Sequence, residues 1–556
     1  MPGSAHSYVA GTAGAPLLGD TVGAALAATV ARFPDGEALV SVHQGLRYTY
    51  REFAGEVERV ALGLLALGIE KGDRVGIWAP NCAEWTILQF ATARVGAILV
   101  NINPAYRPGE FEFAMAHSGV RMLVTAAQYK TSDYLDMLSS VRAALPGLER
   151  VVTIDGDRAS ATDLVWSELV AAGTGATPEE LSVRERELDA DDPINIQYTS
   201  GTTGRPKGAT LTHHNIVNNA YAMAAILGYT DADRVCIPLP LYHCFGMGVG
   251  NLGCVTTGAT MVYPAATFEP VSTMQAVQDE RCTSLYGVPT MWIAQLEHPR
   301  FAEFDLTSLR TGLMGGSPCP IEVMKRAVSD MHASEVCIVY GMTETAPISF
   351  ITRPDDDLER RVSTVGRAMP NVEAKVIDPN TGQAVPRGTA GEVCTRGYVV
   401  MRGYWDDPAA TADAVDSGGW MHTGDLGVLD DEGYLNIVGR MRDMVIRGGE
   451  NIYPREIEEV LFQHPAVGSA QVIGVPDALT GEELMAWVVV RDGVTVDEDE
   501  LRVFCKARLS HFKVPRYWQF VTEFPMTVTG KIQKFKMREI AIESLGLQEA
   551  AAIKTA

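Results

Sequence analysis

The chain has 556 residues, more than one ordinary hydrophobic core holds, so at least two domains are expected. Its composition, 46% hydrophobic and 21% charged, is that of a globular protein and excludes disordered and fibrous classes. The formal net charge of −23 argues against duplex nucleic acid as a partner, which needs a basic face, but leaves anionic small molecules open.

The cysteines and the apolar segments indicate a reducing, cytoplasmic setting. There are nine cysteines, an odd number without a C-x-x-C pair, which fits neither a zinc ribbon nor a disulfide framework. The N-terminus lacks the basic region and apolar core of a signal peptide. The apolar stretch 85–100 is short for a membrane span and contains Arg94, so we expect a buried helix that leads into a strand, and no transmembrane segment.

Strand and helix patterns alternate along most of the chain. Residues 74–80 (RVGIWAP) predict a buried strand, 81–96 a helix and 97–103 (AILVNIN) the next strand. The stretches 122–126 and 150–155 continue the series. This rhythm predicts an α/β protein with mainly parallel sheets covered by helices.

A glycine-rich loop, YTSGTTGRPKG (198–208), follows the predicted strand INIQY and suits a phosphate, because glycines let the backbone approach and hydroxyls and cations donate. It is not a Walker loop: counted from Gly201, the sixth position is Pro206, and Gly208 follows Lys207 instead of preceding it. The predicted phosphate-binding residues are Thr199, Ser200, Gly201, Thr202, Thr203, Gly204 and Lys207, with Arg205 adding charge.

A domain boundary is expected near residue 440. Residues 421–440 predict a turn, a strand, a second turn and a strand, and 441–461 predict a strand, a Gly-Gly loop and a helix that starts after Pro454. The chain passes from one predicted domain to the next through charged strand residues, without a long flexible linker, which indicates a hinge. We therefore predict an N-terminal domain 1–440, a hinge 441–443 and a mobile C-terminal domain 444–556.

The neighbouring histidines His213 and His214 suggest a metal pair at first sight. Adjacent residues do not share a helical face, so a solvated helix start after Thr212 is the better interpretation.

Further motifs follow the loop in a fixed order: PLPLYHCFG (238–246), LMGGSP (313–318), YGMTE (340–344), HTGD (422–425), GRMRDMVIRGGENIYP (439–454) and TGK (529–531). With these motifs the chain resembles the adenylate-forming superfamily, and most of all its medium-chain fatty acyl-CoA synthetases. The resemblance implies a large N-terminal domain with a small barrel-like subdomain and a small mobile C-terminal domain. It also implies enzymes that join a carboxylate to AMP and then pass the acyl group to a thiol.

The implied reaction uses ATP and Mg²⁺, with CoA as co-substrate, and belongs to fatty acid metabolism. Three classes stay open: an acyl-CoA ligase for a fatty or aromatic acid, a fatty acyl-AMP ligase that loads a separate carrier protein, and a nucleotide-binding protein without activity. The sequence leaves the oligomeric state open, a homodimer included.

The resemblance assigns catalytic roles to four side chains. Lys531 would contact the carboxylate and the α-phosphate, and Glu344 would hold the metal ion. Thr343 would donate to the α-phosphate, and His243 would shape or gate the carboxylate end of the acyl pocket.

The nucleotide would be bound by residues of several motifs. Asp425 and Arg440 match the ribose contacts and Tyr340 offers a ring for adenine to stack on. The backbone along adenine would come from Gly315, Gly316, Ser317 and Gly341.

The remaining predicted residues concern the acid and the thiol. The pocket side chains Phe245, Met247, Tyr286 and Val288 are apolar or aromatic, which favours a hydrophobic acid, and medium chain length is our expectation. The resemblance places the pivot of a domain rotation at Arg442 and a pantetheine passage at Gly448 and Gly449.

Overall fold

The fold is described by a computed structural model that covers residues 6–12, 16–199, 206–447, 450–477, 479–526 and 532–551. In this part of the chain the strands form four sheets and one short hairpin, Gln128–Tyr129 with Ser132–Asp133. No helix among the described residues is long and apolar enough to cross a membrane. The α-helices are Val22–Arg32, Tyr50–Ala66, Ala83–Val95, Pro108–Ser118, Tyr134–Val141, Trp166–Ala172, Pro178–Arg186, His213–Ile226, Gly253–Thr257, Pro270–Asp279, Pro289–Leu296, Ile321–Ser329, Leu358–Ser363, Pro408–Ala414, Pro454–Phe462, Glu498–Lys506, Lys534–Ser544 and Gln548–Ala551.

The first large sheet, sheet A, carries the start of the glycine-rich loop. Its first six strands are parallel and its last two pairings are antiparallel. The strand order is Leu164–Val165, Arg150–Thr153, Met122–Thr125, Arg74–Trp78, Ile98–Asn101, Pro193–Thr199, Lys207–Thr212 and Gly403–Tyr404.

The second large sheet, sheet B, is parallel in its centre and antiparallel at both edges. Because the carboxyl ends of parallel strands meet at one edge, residues that follow these strands come together there. The strand order is Arg367–Ala368, Phe350–Ile351, Glu335–Tyr340, Thr311–Gly315, Ser284–Gly287, Arg234–Cys236, Thr260–Tyr263, Glu37–Ser41 and Leu46–Thr49.

A third sheet, sheet C, is antiparallel throughout and is the structural counterpart of the small barrel-like subdomain that the resemblance implies. Within the described residues its pairing is an open row: Tyr8–Ala10, Val372–Ile377, Gly391–Gly397, Met421–Leu429 and Leu435–Arg440.

The C-terminal region has its own sheet, sheet D, and its own apolar cores. The long hairpin Val467–Asp477 and Gly481–Val490 forms its centre, and Val445–Arg447, Glu450–Ile452 and Tyr517–Phe520 complete it. Large parallel sheets followed by a small C-terminal α/β unit confirm the predicted fold class.

The predicted strand–helix–strand unit near residue 90 is present. Arg74–Trp78 and Ile98–Asn101 are parallel neighbours, and Ala83–Val95 is a buried helix between them. The helix ends at Gly96, where φ is +74° and a Cβ atom would lie 2.5 Å from Leu188 Cδ2. The positive φ therefore favours glycine there, and a Cβ atom would also have to displace the end of the Leu188 side chain.

Three local expectations are corrected. The helix after the Gly-Gly loop begins at Pro454, not after it, because proline suits the first position of a helix. The residues HTGD lie within the strand Met421–Leu429, not in a turn. A helix does begin after Thr212, but His213 is fully buried, not solvated, because the start of the helix Val22–Arg32 packs on it and the Val22 N–H donates to its Nδ1 at 3.1 Å.

Candidate active site

The glycine-rich loop connects two antiparallel strands of sheet A. Thr199 ends one strand and Lys207 begins the next, and the two residues are paired in register. The predicted loop residues 200–205, Ser200 to Gly204 among them, lie outside the described part of the chain. Lys207 is therefore placed by the sheet, with its ammonium 5.0 Å from the centre of the Tyr404 ring on the next strand.

Glu344 lies in a 3₁₀ turn, Thr343–Thr345, that follows the strand Glu335–Tyr340 of sheet B. Only 5% of this residue is exposed, and its Oε1 accepts hydrogen bonds from Tyr404 Oη at 2.9 Å and Thr199 Oγ1 at 3.2 Å. Burial, and then the Glu344 charge, raise the pKa of Tyr404, so its hydroxyl stays a donor. A buried carboxylate thus lies between the ends of the two large sheets.

Thr343 is buried, and its Oγ1 lies 3.7 Å from the Sγ of Cys244. The Cys244 N–H in turn donates to Gln197 Oε1 at 2.8 Å. The turn that carries His243 and Cys244 is therefore fastened to the strand that leads into the glycine-rich loop.

Beneath this turn runs a chain of buried amides that sequence analysis did not predict. Gln197 Nε2 donates to Asn195 Oδ1 at 2.7 Å, and Asn195 Nδ2 donates to Asn101 Oδ1 at 2.9 Å. Asn101 Nδ2 completes the chain with a 2.8 Å bond to the Tyr242 carbonyl. The alternation of Asn195 and Gln197 within the apolar strand INIQY was the available signal, because such residues share one face of a strand.

The predicted pocket residues gather around a π-helix, Phe245–Leu252, which follows the half-buried His243. The Phe245 and Tyr286 rings stack with centres 5.9 Å apart, and Met247 and Val288 are buried. The Tyr286 hydroxyl is buried and accepts a hydrogen bond from Tyr229 Oη at 3.0 Å. The exposed part of the cluster is thus apolar.

Asp425 lies in sheet C, opposite Arg440 on the neighbouring strand. Its Oδ1 is 3.0 Å from Arg440 Nε, and its Oδ2 accepts from Tyr340 Oη at 2.9 Å. Burial raises the pKa of Asp425, although the nearby Arg440 charge opposes that rise. The structure therefore brings together three of the predicted nucleotide-binding side chains.

The glycines predicted to line the nucleotide lie where side chains do not fit. A Cβ atom on Gly315 would lie 2.6 Å from the Val339 carbonyl oxygen, and one on Gly341 would lie 1.9 Å from the Pro347 carbonyl oxygen. Gly316 has φ +86° and is exposed beside the half-buried Ser317. These residues end the parallel strands Thr311–Gly315 and Glu335–Tyr340, so their backbones face the same edge of sheet B.

The predicted hinge coincides with a short 3₁₀ helix, Met441–Asp443, between sheets C and D. Arg442 is exposed there, and its Nε lies 3.9 Å from the Asp443 carboxylate. Gly448, Gly449 and Lys531 lie outside the described residues. The paired strands Val445–Arg447 and Glu450–Ile452 flank the two glycines.

Comparison with known proteins identifies the family. The AMP-binding enzyme family matches residues 26–405, and the AMP-binding enzyme C-terminal domain matches residues 456–531. A putative acyl-CoA synthetase, YngI, of Bacillus subtilis (strain 168) is 46% identical over 96% of this chain and 100% of its own length. The mitochondrial medium-chain acyl-CoA ligase ACSF2 of Danio rerio is 44% identical over 98% of this chain and 92% of its own.

A solved structure extends the likeness to three dimensions. The anthranilate CoA ligase AuaEII, crystallised in complex with anthranoyl-AMP, has a TM-score of 0.86 and 27% identity, covering 96% of this chain and 99% of its own. Both sequence motifs and overall architecture are therefore shared with enzymes of one group. The chain belongs to the AMP-binding enzyme family, within the adenylate-forming superfamily.

Proposed function

We propose that this protein activates a medium-chain fatty acid with ATP and transfers the acyl group to CoA, releasing AMP and pyrophosphate. Its relatives make the chain an acyl-CoA synthetase, an AMP-forming acid–thiol ligase. The observation that carries the site assignment is the buried Glu344 carboxylate beside Thr199, where the glycine-rich loop begins.

In the first step a carboxylate oxygen of the acid attacks the α-phosphorus of ATP and the bond to pyrophosphate breaks. Two anions must approach, and unit charges at ~4 Å repel by about 4 kcal/mol at an effective dielectric constant of 20. Cations and donors have to offset this repulsion. In our proposal Lys207 and the loop hold the outer phosphates, Thr343 donates to the α-phosphate, and Lys531 contacts both reacting anions.

The residues present fit a magnesium ion. Mg²⁺ is commonly bound by one or two carboxylates together with substrate phosphates, and Glu344 offers a buried carboxylate whose described partners are hydroxyl groups. In this proposal Glu344 holds the ion, which would neutralise charge on the phosphates of ATP.

The other carboxylate has a different role in our proposal. Asp425 accepts hydrogen bonds from the ribose hydroxyls while Arg440 and Tyr340 keep it oriented. The Tyr340 ring and the backbone of Gly315, Gly316, Ser317 and Gly341 lie along adenine. Phe245, Met247, Tyr286 and Val288 line the acyl pocket, with His243 at its carboxylate end.

In the second step the CoA thiol attacks the acyl carbon and AMP leaves. We propose domains 1–440 and 444–556, with a rotation about residues 441–443 that brings Gly448 and Gly449 against the pantetheine arm. Arg442→Pro tests this movement, because proline restricts the backbone at the pivot. Acyl-CoA formation should fall at least ~10-fold, by the loss of a gating step, while adenylation is retained. Normal overall turnover in this variant would contradict the hinge.

The substrate and the acceptor can be identified with one panel of assays. Pyrophosphate release is measured with saturated acids from acetate to stearate and with benzoate, each with CoA, with a holo-carrier protein and with neither. We expect the highest kcat/KM near octanoate and thioester formation with CoA alone. Thioester formation only on the carrier would contradict the CoA assignment. The nine buried cysteines, none of which forms a disulfide within the described residues, support a cytoplasmic location in this proposal.

A further inference from the structure

Sheet C holds a second cluster of polar side chains, formed by Glu392, Cys394 and His422. Among the residues that the structure describes, these are the side chains whose three potential metal-binding atoms all lie within 4.8 Å of one another. His422 Nδ1 is 3.0 Å from Glu392 Oε2 and 3.6 Å from Cys394 Sγ. Ligands about 2.0–2.3 Å from a shared zinc ion are themselves roughly 3–4 Å apart, so these distances suit one ion.

The backbone of the sheet fixes this arrangement. Glu392 and Cys394 are two residues apart on the strand Gly391–Gly397, and Cys394 is paired in register with His422 on the strand Met421–Leu429. Glu392 and Cys394 are both buried. Because strand pairing places all three side chains on one face, little side-chain entropy is lost on binding an ion.

The surroundings of the imidazole favour a metal over a simple hydrogen bond. A carboxylate and a thiol both face Nδ1, which carries at most one proton, while Asp416 Oδ2 lies 3.9 Å from Nε2. With an ion on Nδ1, the Nε2–H would have the Asp416 carboxylate as its neighbour at 3.9 Å, a charge contact longer than a hydrogen bond. Histidine ligands usually direct their other N–H at such a carboxylate.

The charges of the cluster point the same way. Two carboxylates lie close to the His422 ring, since Glu392 Oε2 is 3.0 Å from Nδ1 and Asp416 Oδ2 is 3.9 Å from Nε2. Lys375 is paired in register with Cys394 on the neighbouring strand, and its ammonium lies 4.4 Å from the centre of the Trp420 ring. A divalent ion would balance the carboxylates and the thiolate formed on binding, and the thiol proton would pass to solvent.

We propose that Glu392, Cys394 and His422 bind one zinc ion, with water in the fourth position and Asp416 orienting His422. The mixed nitrogen, sulfur and oxygen ligand set is typical of zinc. Glu392 Oε1 also accepts the Gly424 N–H at 3.2 Å, one residue before Asp425. The ion would therefore hold the strand that carries the proposed ribose ligand, a role beyond the acyl-CoA synthetase reaction itself.

Metal content and cobalt spectra test the site. The full chain, purified without a polyhistidine tag, is analysed for zinc by mass spectrometry, then stripped with a chelator and titrated with Co²⁺. We expect about one zinc ion per wild-type chain and a thiolate-to-cobalt charge-transfer band in the near ultraviolet. Cys394→Ser should remove the band, and His422→Gln should weaken binding at least ~10-fold.

A milder variant and two controls keep the test decisive if the first variants fold poorly. Asp416→Asn keeps the Oδ1 that accepts from Gly418 and Trp420 and should weaken zinc binding ~10-fold through His422 alone. Cys337→Ser removes another buried thiol, and His464→Gln alters a histidine that faces the Glu500 carboxylate, so both should leave zinc content unchanged. Wild-type protein without bound zinc and without the cobalt band, or zinc content unchanged in both Cys394→Ser and Asp416→Asn, would overturn the proposal.

Discussion

Two buried carboxylates, Glu344 and Asp425, lie in the same candidate site but have different surroundings. Asp425 already has a cation at 3.0 Å, Arg440, and one hydroxyl donor. The described hydrogen-bond partners of the Glu344 carboxylate are the hydroxyls of Tyr404 and Thr199, and the Lys207 ammonium lies over the Tyr404 ring. A paired carboxylate suits steady recognition of a neutral group, whereas one held by hydroxyls suits an incoming cation.

This comparison teaches that burial alone does not define a role. Both carboxylates are less than a tenth exposed, so their difference comes from the partners that neighbouring strands supply. Asp425 takes Arg440 from the next strand of sheet C, while Glu344 takes its donors from two strands of sheet A. We therefore expect Glu344 to act with charges that arrive with ATP or with the C-terminal domain.

The largest expected effect concerns Lys531, the cation that the C-terminal domain would bring to the reacting groups. Lys531→Ala should lower ATP-dependent adenylation about 1,000-fold, because a cation aimed at developing charge is lost. Thioester formation from a supplied acyl-adenylate should change little. Pyrophosphate exchange and acyl-CoA formation measure the two half-reactions separately. An equal loss of both in a folded protein would contradict the role of Lys531.

Charge removal at the two carboxylates should have different kinetic signatures. Glu344→Gln keeps an acceptor for Tyr404 but removes the charge, and kcat for adenylation should fall roughly 100-fold. Asp425→Asn should mainly raise the KM for ATP, about 10-fold, since a hydrogen bond to a charged group is weakened. Steady-state kinetics at varied ATP and Mg²⁺ concentrations distinguish the two. The same changes in kcat and KM in both variants would contradict the different roles of Glu344 and Asp425.

His213 is buried away from the candidate active site. Its titration should therefore change the stability of the fold with pH and not the catalytic rate. Burial lowers the pKa of His213 to about 4, below its usual 6.5, because the charged imidazolium would lose its hydration there. Between these pH values His213 binds more protons in the unfolded state than in the folded state, so its contribution to stability falls by about 3 kcal/mol as pH drops from 6.5 to about 4.

Urea unfolding at pH 7 and at pH 4.5 measures this effect. His213→Asn keeps an acceptor for the Val22 N–H and should reduce the difference in unfolding free energy between the two pH values by up to about 3 kcal/mol. His214→Gln is the neighbouring control, because His214 is only half-buried and should leave the dependence as in the wild type. An unchanged pH dependence in His213→Asn would exclude His213 as its source.

The smallest effect concerns the hydroxyl that holds Glu344. Tyr404→Phe should lower kcat/KM about 3- to 10-fold, which corresponds to about 0.6–1.4 kcal/mol, the net contribution of a typical hydrogen bond. Tyr398→Phe removes another buried hydroxyl and should leave kcat/KM unchanged, because the Tyr398 backbone carbonyl, not its side chain, accepts from Asn215. Equal effects of the two substitutions would indicate a packing role for Tyr404.

Much of the fold was predictable, because its signals are local. The strand–helix–strand pattern around Arg74–Trp78 and Ala83–Val95 follows from hydrophobic periodicity. The pairing of Asp425 with Arg440 could be anticipated because both lie on one hairpin. The roles predicted for all the site residues stay predictions, and Lys531, Gly448, Gly449 and Ser200 to Gly204 also lie outside the described residues.

Tyr404 and the amide chain under the His243 turn were missed for a physical reason. Tyr404 reaches Glu344 across 60 positions of sequence, and Thr199 reaches it across 145. No local pattern encodes such contacts. His213 was misjudged for the same reason, since the helix that covers it starts 191 positions earlier in the chain.

The sequence by itself determined the α/β class, the order of the motifs and the places where only glycine fits, because these depend on periodicity and on backbone conformation. Tertiary structure alone decided that Glu344 accepts hydrogen bonds from hydroxyls on two distant strands of sheet A. It also decided that Glu392, Cys394 and His422 share one face of a sheet. Such choices depend on strand order and register, which bring together side chains that the sequence keeps far apart.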